Sequence, residues 1–368
     1  MANFRYGHAT AADWREAAES CVAQLGAGSA GLGFLYATDL YAGDLERILA
    51  FVRRATGVEH WVGTVGMGIC AGAQEYLDQP ALALMVGDFD RASFSVLPSV
   101  TGAEALAATQ IKCGAAAANF AIVHGDPRNE QIVALIEGLA QKVESGFLVG
   151  GLTSSRKQNH QIADGLTHGG VSGVVFSGDV VVATRLTQGC TPVGRKHSIT
   201  EASRNIIVTL DGKPALEVFI EDIGEEMARN LNRVGSSIFA GLPITGSDTG
   251  DYLVRNLVGI DPNQKLIAIG ELVETGRQVM FCRRDAAAAT QDMKRMLGSI
   301  KQGLFGKPRG GVYYSCLGRG AGLFGPDSAE LKLISAELGE FPLVGFFGNG
   351  EISHNRLYGY TGVLTLFV

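Results

Sequence analysis

The sequence predicts an α/β protein of two domains whose mixed sheets are built from a repeated strand-helix-strand-strand unit. The repeat is the first observation, since self-similarity at this scale decides an architecture before any motif does. The second is glycine. There are 50 in 368 residues, about twice the usual ~7% share, and many fall within or at the ends of strands, where they mark turns or close backbone approaches. The third is a hydrophobic share of 46%, which can fill two or three domain-sized cores.

The first copy runs from the strand Gly31-Leu-Gly-Phe-Leu-Tyr-Ala-Thr38 through a helix at 44–56 to the glycine-rich Val62-Gly-Thr-Val-Gly-Met-Gly68 and the strand at 81–86. The second takes Phe120-Ala-Ile-Val-His124, a helix at 129–143, the strand and turn at 147–155 and the strand at 172–176. The third closes with the strand and turn at 311–320, a helix at 327–338, Leu343-Val-Gly-Phe-Phe-Gly-Asn-Gly-Glu351 and the strand at 363–367. Ahead of them, Asp13 caps a helix whose inner face is Trp14, Ala17, Ala18, Cys21, Val22 and Leu25, stopped by Gly26. The second copy's helix carries Ile132, Leu135, Ile136, Leu139 and Val143 on one stripe, and the third ends at Gly339.

Between the second and third copies the texture changes. The strands at 171–176 and 180–186 flank Ser177-Gly178-Asp179 and predict a hairpin. A strand at 206–210 leads to a helix opening after Pro214 and running to about Asn232; the stretches 252–260, 266–273 and 278–283 read as an antiparallel meander. A helix with Met293, Met296, Leu297 and Ile300 inward follows. The break in periodicity at 188–204, around Pro192 and Gly194, sets the expected division: an N-terminal helix in 1–30, one domain over 31–200 and a second over 201–368.

With 31 basic against 37 acidic residues, a net charge of -6 and no basic run, the electrostatic footprint of a nucleic-acid binder is missing. No signal peptide or apolar span is apparent, so a cytoplasmic protein without membrane attachment is expected. The six cysteines, Cys21, Cys70, Cys113, Cys190, Cys282 and Cys316, show no C-x-x-C pair, so reduced thiols are the default and no metal site or cofactor is called for.

The strand end Val-Gly-Gly-Leu at 149–152, Gln188-Gly-Cys-Thr-Pro-Val-Gly194, Leu210-Asp-Gly-Lys-Pro-Ala-Leu216, Ser315-Cys-Leu-Gly-Arg-Gly320 and Gly345-Phe-Phe-Gly-Asn-Gly-Glu351 together resemble the motif succession of the FIST family, with its N-terminal and C-terminal FIST domains. The resemblance covers the chain from about Gly31 onward. It implies a sensory, ligand-binding module of intracellular signal transduction, with small molecules such as amino acids as proposed ligands. The chain carries no F-box, kinase or methyl-accepting segment, so the resemblance implies a sensor that acts through a separate signalling protein. It brings no settled catalytic residues.

The residues themselves point to the third copy. Its two strand ends, Cys316, Gly318, Arg319 and Gly320 with Phe347, Asn349, Gly350 and Glu351, should reach the same sheet edge, where ligands of open α/β sheets sit. Arg319 could fork onto a carboxylate and Glu351 hold an amine; Gly150 and Gly151, or Gly66 and Gly68, are expected to border the same cavity. The plainer reading pairs Arg319 with Glu351 directly. Two other classes stay open: a cysteine-dependent enzyme on a small acyl or amide substrate, with Cys316 as nucleophile and His354 as base, and a protein-interaction scaffold without ligand. The near-fingerprint Gly63, Gly66, Gly68 reads as tight-turn glycine. His124-Gly-Asp126 and His160 with His168 resemble metal sets only by residue type, and Ala115 to Ala118 read as a packed core segment.

Overall fold

The computed structural model describes residues 3–229, 234, 237–244 and 252–368. The expected helices form where their periodicity places them: Trp14–Leu25, Leu45–Thr56, Ile132–Lys142, Ala286–Gln302 and Ala329–Leu338. Asp13 accepts the Arg15 amide hydrogen at the first of these, and Gly26, at φ 64°, ends it.

One compact unit takes in Met1–Gln188 and Asp292–Val368, and the other Gly189–Gln291. The compact units therefore do not follow the expected linear division. The stretch from Asp292 onward joins the first unit, because its strands find their hydrogen-bonding partners there.

In the first unit each repeat makes one six-stranded mixed sheet. A first strand (Leu32–Thr38, Phe120–Gly125 or Gly310–Cys316) pairs in parallel with a second (His60–Gly66, Phe147–Leu152 or Leu343–Gly348), as a strand-helix-strand crossover requires. A return strand (Ala81–Gly87, Val171–Phe176 or Thr361–Phe367) pairs antiparallel with the first. Beyond the second strand of every sheet lies a hairpin from another repeat. The first repeat lends Gly68–Ala71 and Gln74–Leu77 to the third; the third lends Glu351–Ser353 and Arg356–Tyr358 to the second; the second lends Gln161–Ala163 and Leu166–Thr167 to the first. The exchange is cyclic.

The inward faces share one core, with Phe34, Tyr36, Ile122, Val149, Val312, Tyr314, Val344 and Phe346 among its buried members. The outward faces bury the helices in three separate clusters, one for each sheet. The second strand of each repeat carries a glycine at the same register, opposite Leu35, Val123 or Tyr313. A Cβ on Gly63, Gly150 or Gly345 would stand 1.8, 1.8 and 1.7 Å from that residue's carbonyl oxygen. Only glycine permits the approach.

Several expectations need correction. The strands flanking Ser177–Asp179 do not form a hairpin: Val171–Phe176 has both edges filled by Phe120–Gly125 and Phe94–Val100, so Val182–Gln188 pairs instead with Thr361–Phe367. The first 30 residues hold a strand, Phe4–Thr10, against Ala81–Gly87 as well as the helix. Ala115, Ala116 and Ala117 are exposed, on a short two-stranded ribbon, rather than core.

The second unit is antiparallel. Its sheet runs Cys190–Ser203, Gln278–Arg284, Ile238–Pro243, Tyr252–Asp261, Leu266–Ile269, Ile206–Leu210 and Lys213–Pro214, and Cys190–Ser203 also pairs with Ile206–Leu210. The sheet thus closes on itself around a core that includes Ile199, Leu210, Phe219 and Phe281, into which the Ala215–Ile223 helix packs. The stretch read as a break, 188–204, is mostly one long strand with a bulge between Val193 and His197. The meander is only partial, since Gln278–Arg284 pairs with Ile238–Pro243 and Cys190–Ser203 rather than with its sequence neighbour. The helix after Pro214 stops at Gly224, φ 83°, and resumes as Glu225–Ala228; its expected end near Asn232 lies outside the described residues.

If the three close approaches hold the repeats in register, Gly63→Ala and Gly345→Ala should each cost roughly 1–3 kcal/mol or more. Gly43→Ala, where an added Cβ meets nothing within 4 Å, should stay within about 0.5 kcal/mol of the parent. Thermal melts followed by circular dichroism compare the three.

Candidate functional site

The first strand of the third repeat ends at Cys316, and the turn beyond it is tied down by its own backbone. Leu317 N–H donates to the Gly348 carbonyl at 3.1 Å, and Arg319 N–H to that of Cys316 at 2.8 Å. Arg319 is thereby drawn inside, at 1% exposure. Its Nε–H donates to Glu330 Oε1 at 2.8 Å, while its guanidinium carbon lies 4.9 Å from the centre of the Phe324 ring. Glu330 stands in the first turn of the Ala329–Leu338 helix, where the helix dipole favours a carboxylate. It also accepts from the Tyr313 hydroxyl at 2.5 Å and from Gly320 N–H at 2.8 Å. Burial works against the Arg319 charge, and Glu330 outweighs it, so the guanidinium stays charged.

Arg319 is thus paired with Glu330, not with Glu351. Neither of its Nη atoms, both buried, finds a hydrogen-bond partner among the described residues. Glu351 begins the hairpin lent to the second repeat, fully buried; its Oε2 accepts from Thr361 Oγ1 at 2.8 Å and Thr361 N–H at 3.2 Å, and its Oε1 finds no partner among the described residues. Burial pushes its carboxyl up to about 8, against the pull of Thr361 and then of Arg319. At neutral pH Glu351 is therefore mostly a neutral acid. Glu75, on the hairpin lent by the first repeat, accepts from Ala321 N–H at 3.1 Å and is pushed up to about 7 by burial and by Glu330.

The other expected residues fall around these. Gly151 and Gly150 pair with Glu351 and Ile352, so they back the acid directly. Gly68 pairs with Phe347, whose ring fills the space a Gly320 side chain would need, 2.9 Å from its Cβ position. Gly66 stands against Phe346 rather than the acid, its Cβ position 3.2 Å from the Phe346 Cβ. Gly318 lies under the Tyr360 ring, and Gly350, at φ +146°, under Leu357. Asn349 is exposed and donates to the Thr153 carbonyl at 3.4 Å. Two surface clefts, of about 350 Å³ beside Phe4, Phe89 and Phe367 and about 420 Å³ beside Phe147 and Arg185, open elsewhere.

Cys316 is half-buried, and burial with Glu351 alongside pushes its thiol up to about 12. His354 occupies the exposed turn of the hairpin, its ring 4.3 Å from that of Phe147. Phe147 starts the strand whose Gly151 faces Glu351, roughly 13 Å along it. The nucleophile and its proposed base are not brought together.

The sequence reading weighed His124 only as a metal-like residue and missed the group it joins. Tyr36, His124 and Tyr314 each stand one residue past the one facing the repeat's glycine, and all three point into the shared core. The Tyr36 hydroxyl lies 3.1 Å from His124 Nε2 and 2.8 Å from the Tyr314 hydroxyl, with the Phe346 ring stacked on Tyr36. Burial pushes His124 down to about 3, so it is neutral. Setting the three repeats against one another at Gly63, Gly150 and Gly345 would have exposed these positions. Asp126 is taken up by Arg128, and the rings of His160 and His168 lie 6.4 Å apart.

With this geometry in place, comparison with known proteins is direct. Residues 31–213 match the FIST N domain and residues 215–354 the FIST C domain. The chain belongs to the FIST family, whose domains are sensory domains of signal transduction. It is 33% identical over 383 aligned residues to an uncharacterized protein of Mycobacterium tuberculosis, and 29% identical over 380 to one of Mycobacterium bovis, covering 98% of both chains in each case. Among the described residues no helix is long and apolar enough to cross a membrane.

Two outcomes follow from the titrations. Folded Glu351 holds a proton that the unfolded chain releases in the ordinary carboxylate range, so its contribution is full at low pH and lost as pH rises toward about 8. His124, depressed to about 3, acts oppositely, but only below the ordinary histidine range. Thermal stability should therefore fall from pH 7 to 8.5, and Glu351→Gln should flatten that slope. Separately, iodoacetamide at pH 6 should leave Cys316 unlabelled in the folded protein over minutes; rapid stoichiometric labelling, read by peptide mass spectrometry, would reverse the assignment.

Proposed function

We propose that this protein is a small-ligand sensor whose ligand, an amino acid or another compound with a carboxylate, engages the strand ends of the third repeat. In this reading Arg319 takes the carboxylate through its two free Nη groups, and Glu351 takes the ligand's polar or amine end. Cys316, Gly318, Gly320, Phe347, Asn349 and Gly350 line the turn, with Gly150, Gly151, Gly66 and Gly68 behind. A separate signalling protein in the cytoplasm reads the bound state. The observation that carries the proposal is the buried fork of Arg319, which finds no partner among the described residues, together with a Glu351 oxygen in the same state whose carboxyl feels the Arg319 charge. Buried polar groups without partners are uncommon in native proteins and mark sites where something else completes them. The high thiol titration of Cys316 and the distant His354 favour sensing over cysteine chemistry.

A thermal-shift screen against amino acids, nucleotides and small organic acids identifies the ligand, since ~100 times the dissociation constant stabilises by ~2.7 kcal/mol. Calorimetric titration of that compound should then show Arg319→Lys and Glu351→Gln weakened by more than the ~1 kcal/mol of an exposed pair. Cys316→Ser should bind as the parent does. Unchanged affinity in both folded variants would move the site elsewhere.

A further inference from the structure

Two of the motifs that carry the family resemblance, at 188–194 and 210–216, take no part in the ligand site. In the second unit they meet around one side chain. His197, just past the strand bulge, is 3% exposed; its Nδ1 lies 2.8 Å from Asp211 Oδ2 and its Nε2 2.9 Å from Asp222 Oδ2. An ionised carboxylate only accepts, so both bonds exist together only when each ring nitrogen carries a hydrogen. The arrangement is that of an imidazolium.

Its surroundings are fitted to that charge. Asp211, from the second motif, accepts from Ser198 N–H at 2.8 Å and from Arg195 Nη2 at 2.9 Å, and the Ser198 amide with His197 holds its carboxyl below the usual range. Asp222 sits in the last turn of the Ala215–Ile223 helix, where the helix's own carbonyls disfavour a carboxylate. Gly194, from the first motif and at φ +75°, leaves room for it: a Cβ there would stand 2.2 Å from the Asp222 carboxyl carbon. With the ring protonated, Arg195, His197, Asp211 and Asp222 sum to zero charge. With the ring neutral, one N–H faces two acceptors and a negative charge is left over.

Lys213–Glu221 and Lys265–Glu217 are exposed pairs at 3.1 and 2.5 Å, and the Phe281 ring that packs beside His197 is uncharged. We propose that His197 is a proton-operated clamp that ties the C-terminal turn of the Ala215–Ile223 helix to the closed sheet when protonated and releases it when neutral. Leu216, Val218 and Phe219 stay buried in the core, so the release is a local opening at Asp222.

Hydrogen exchange of the full chain between pH 5.5 and 8.5, corrected for intrinsic rates, tests this. Backbone amides at 219–223 should be protected about ten-fold more at the acid end, the effect of a charged hydrogen bond. His197→Gln, which cannot protonate, should show the weaker protection at every pH, while the double change Glu217→Gln and Glu221→Gln keeps the wild-type response. A pH-independent wild type, or a response that survives in His197→Gln, overturns the proposal. Should that variant fail to fold, Asp222→Asn replaces it; a full pH response there counts equally against the clamp.

Discussion

A backbone carbonyl that passes where a side chain would otherwise be is the constraint on which the first unit rests. At Gly63, Gly150 and Gly345 the parallel strands of each repeat close to distances that no Cβ survives. Beyond that point each repeat leaves its own sheet and hands a hairpin to another. No repeat completes its own sheet, so none can cover the outer edge of its parallel pair without the repeat that lends it a hairpin. The first repeat's hairpin from Gly68 and the third repeat's strands must therefore be present together before the third sheet is complete. Such non-local pairing requires the loop-closure cost to be met before the contacts that repay it can form.

The same geometry explains why so much polarity lies inside. Repeating the strand-helix-strand unit around one core brings equivalent positions face to face, which is how Tyr36, His124 and Tyr314 come to share hydrogen bonds. At the third repeat's strand end, Glu330 and Arg319 satisfy one another's charge, while burial pushes the carboxyls of Glu351 and Glu75 up, with Glu330 adding to the rise at Glu75. A dry pair of this kind contributes little net stability, but removing one member leaves a costly charge. What it supplies is a fixed guanidinium whose Nη hydrogens find no partner among the described residues.

The matched family domains divide the chain between 213 and 215, whereas the compact units divide it at 188 and again at 291. The two divisions answer different questions. Sequence similarity runs along the chain and cannot cross a gap, but compactness follows hydrogen bonds, and the third repeat's strands pair with hairpins and edges hundreds of residues earlier. The closed antiparallel sheet of Gly189–Gln291 is inserted between the second and third repeats in chain order. Its long strand Cys190–Ser203 was unreadable because a bulge, Pro192 and Gly194 interrupt the alternation that announces a strand.

By itself, the sequence determined what local periodicity and local stereochemistry determine. Trp14–Leu25, Ile132–Lys142 and Ala329–Leu338 are helices because their apolar residues recur within one turn's reach and because Asp13, Gly26 and Gly339 punctuate their ends. It also placed Cys316 and Phe347 on neighbouring strands, since the crossover makes those strands parallel neighbours, whereas Glu351 starts a strand of the second repeat's sheet. Only the tertiary structure decided who pairs with whom. Glu330 rather than Glu351 takes Arg319 because a helix N-terminus delivers it there. His354 is carried away from Cys316 because its hairpin belongs to another repeat's sheet. Tyr36 meets residues 88 and 278 positions away, and no local pattern encodes such a meeting: the register of exchanged strands sets it, and register exists only once the sheets have closed.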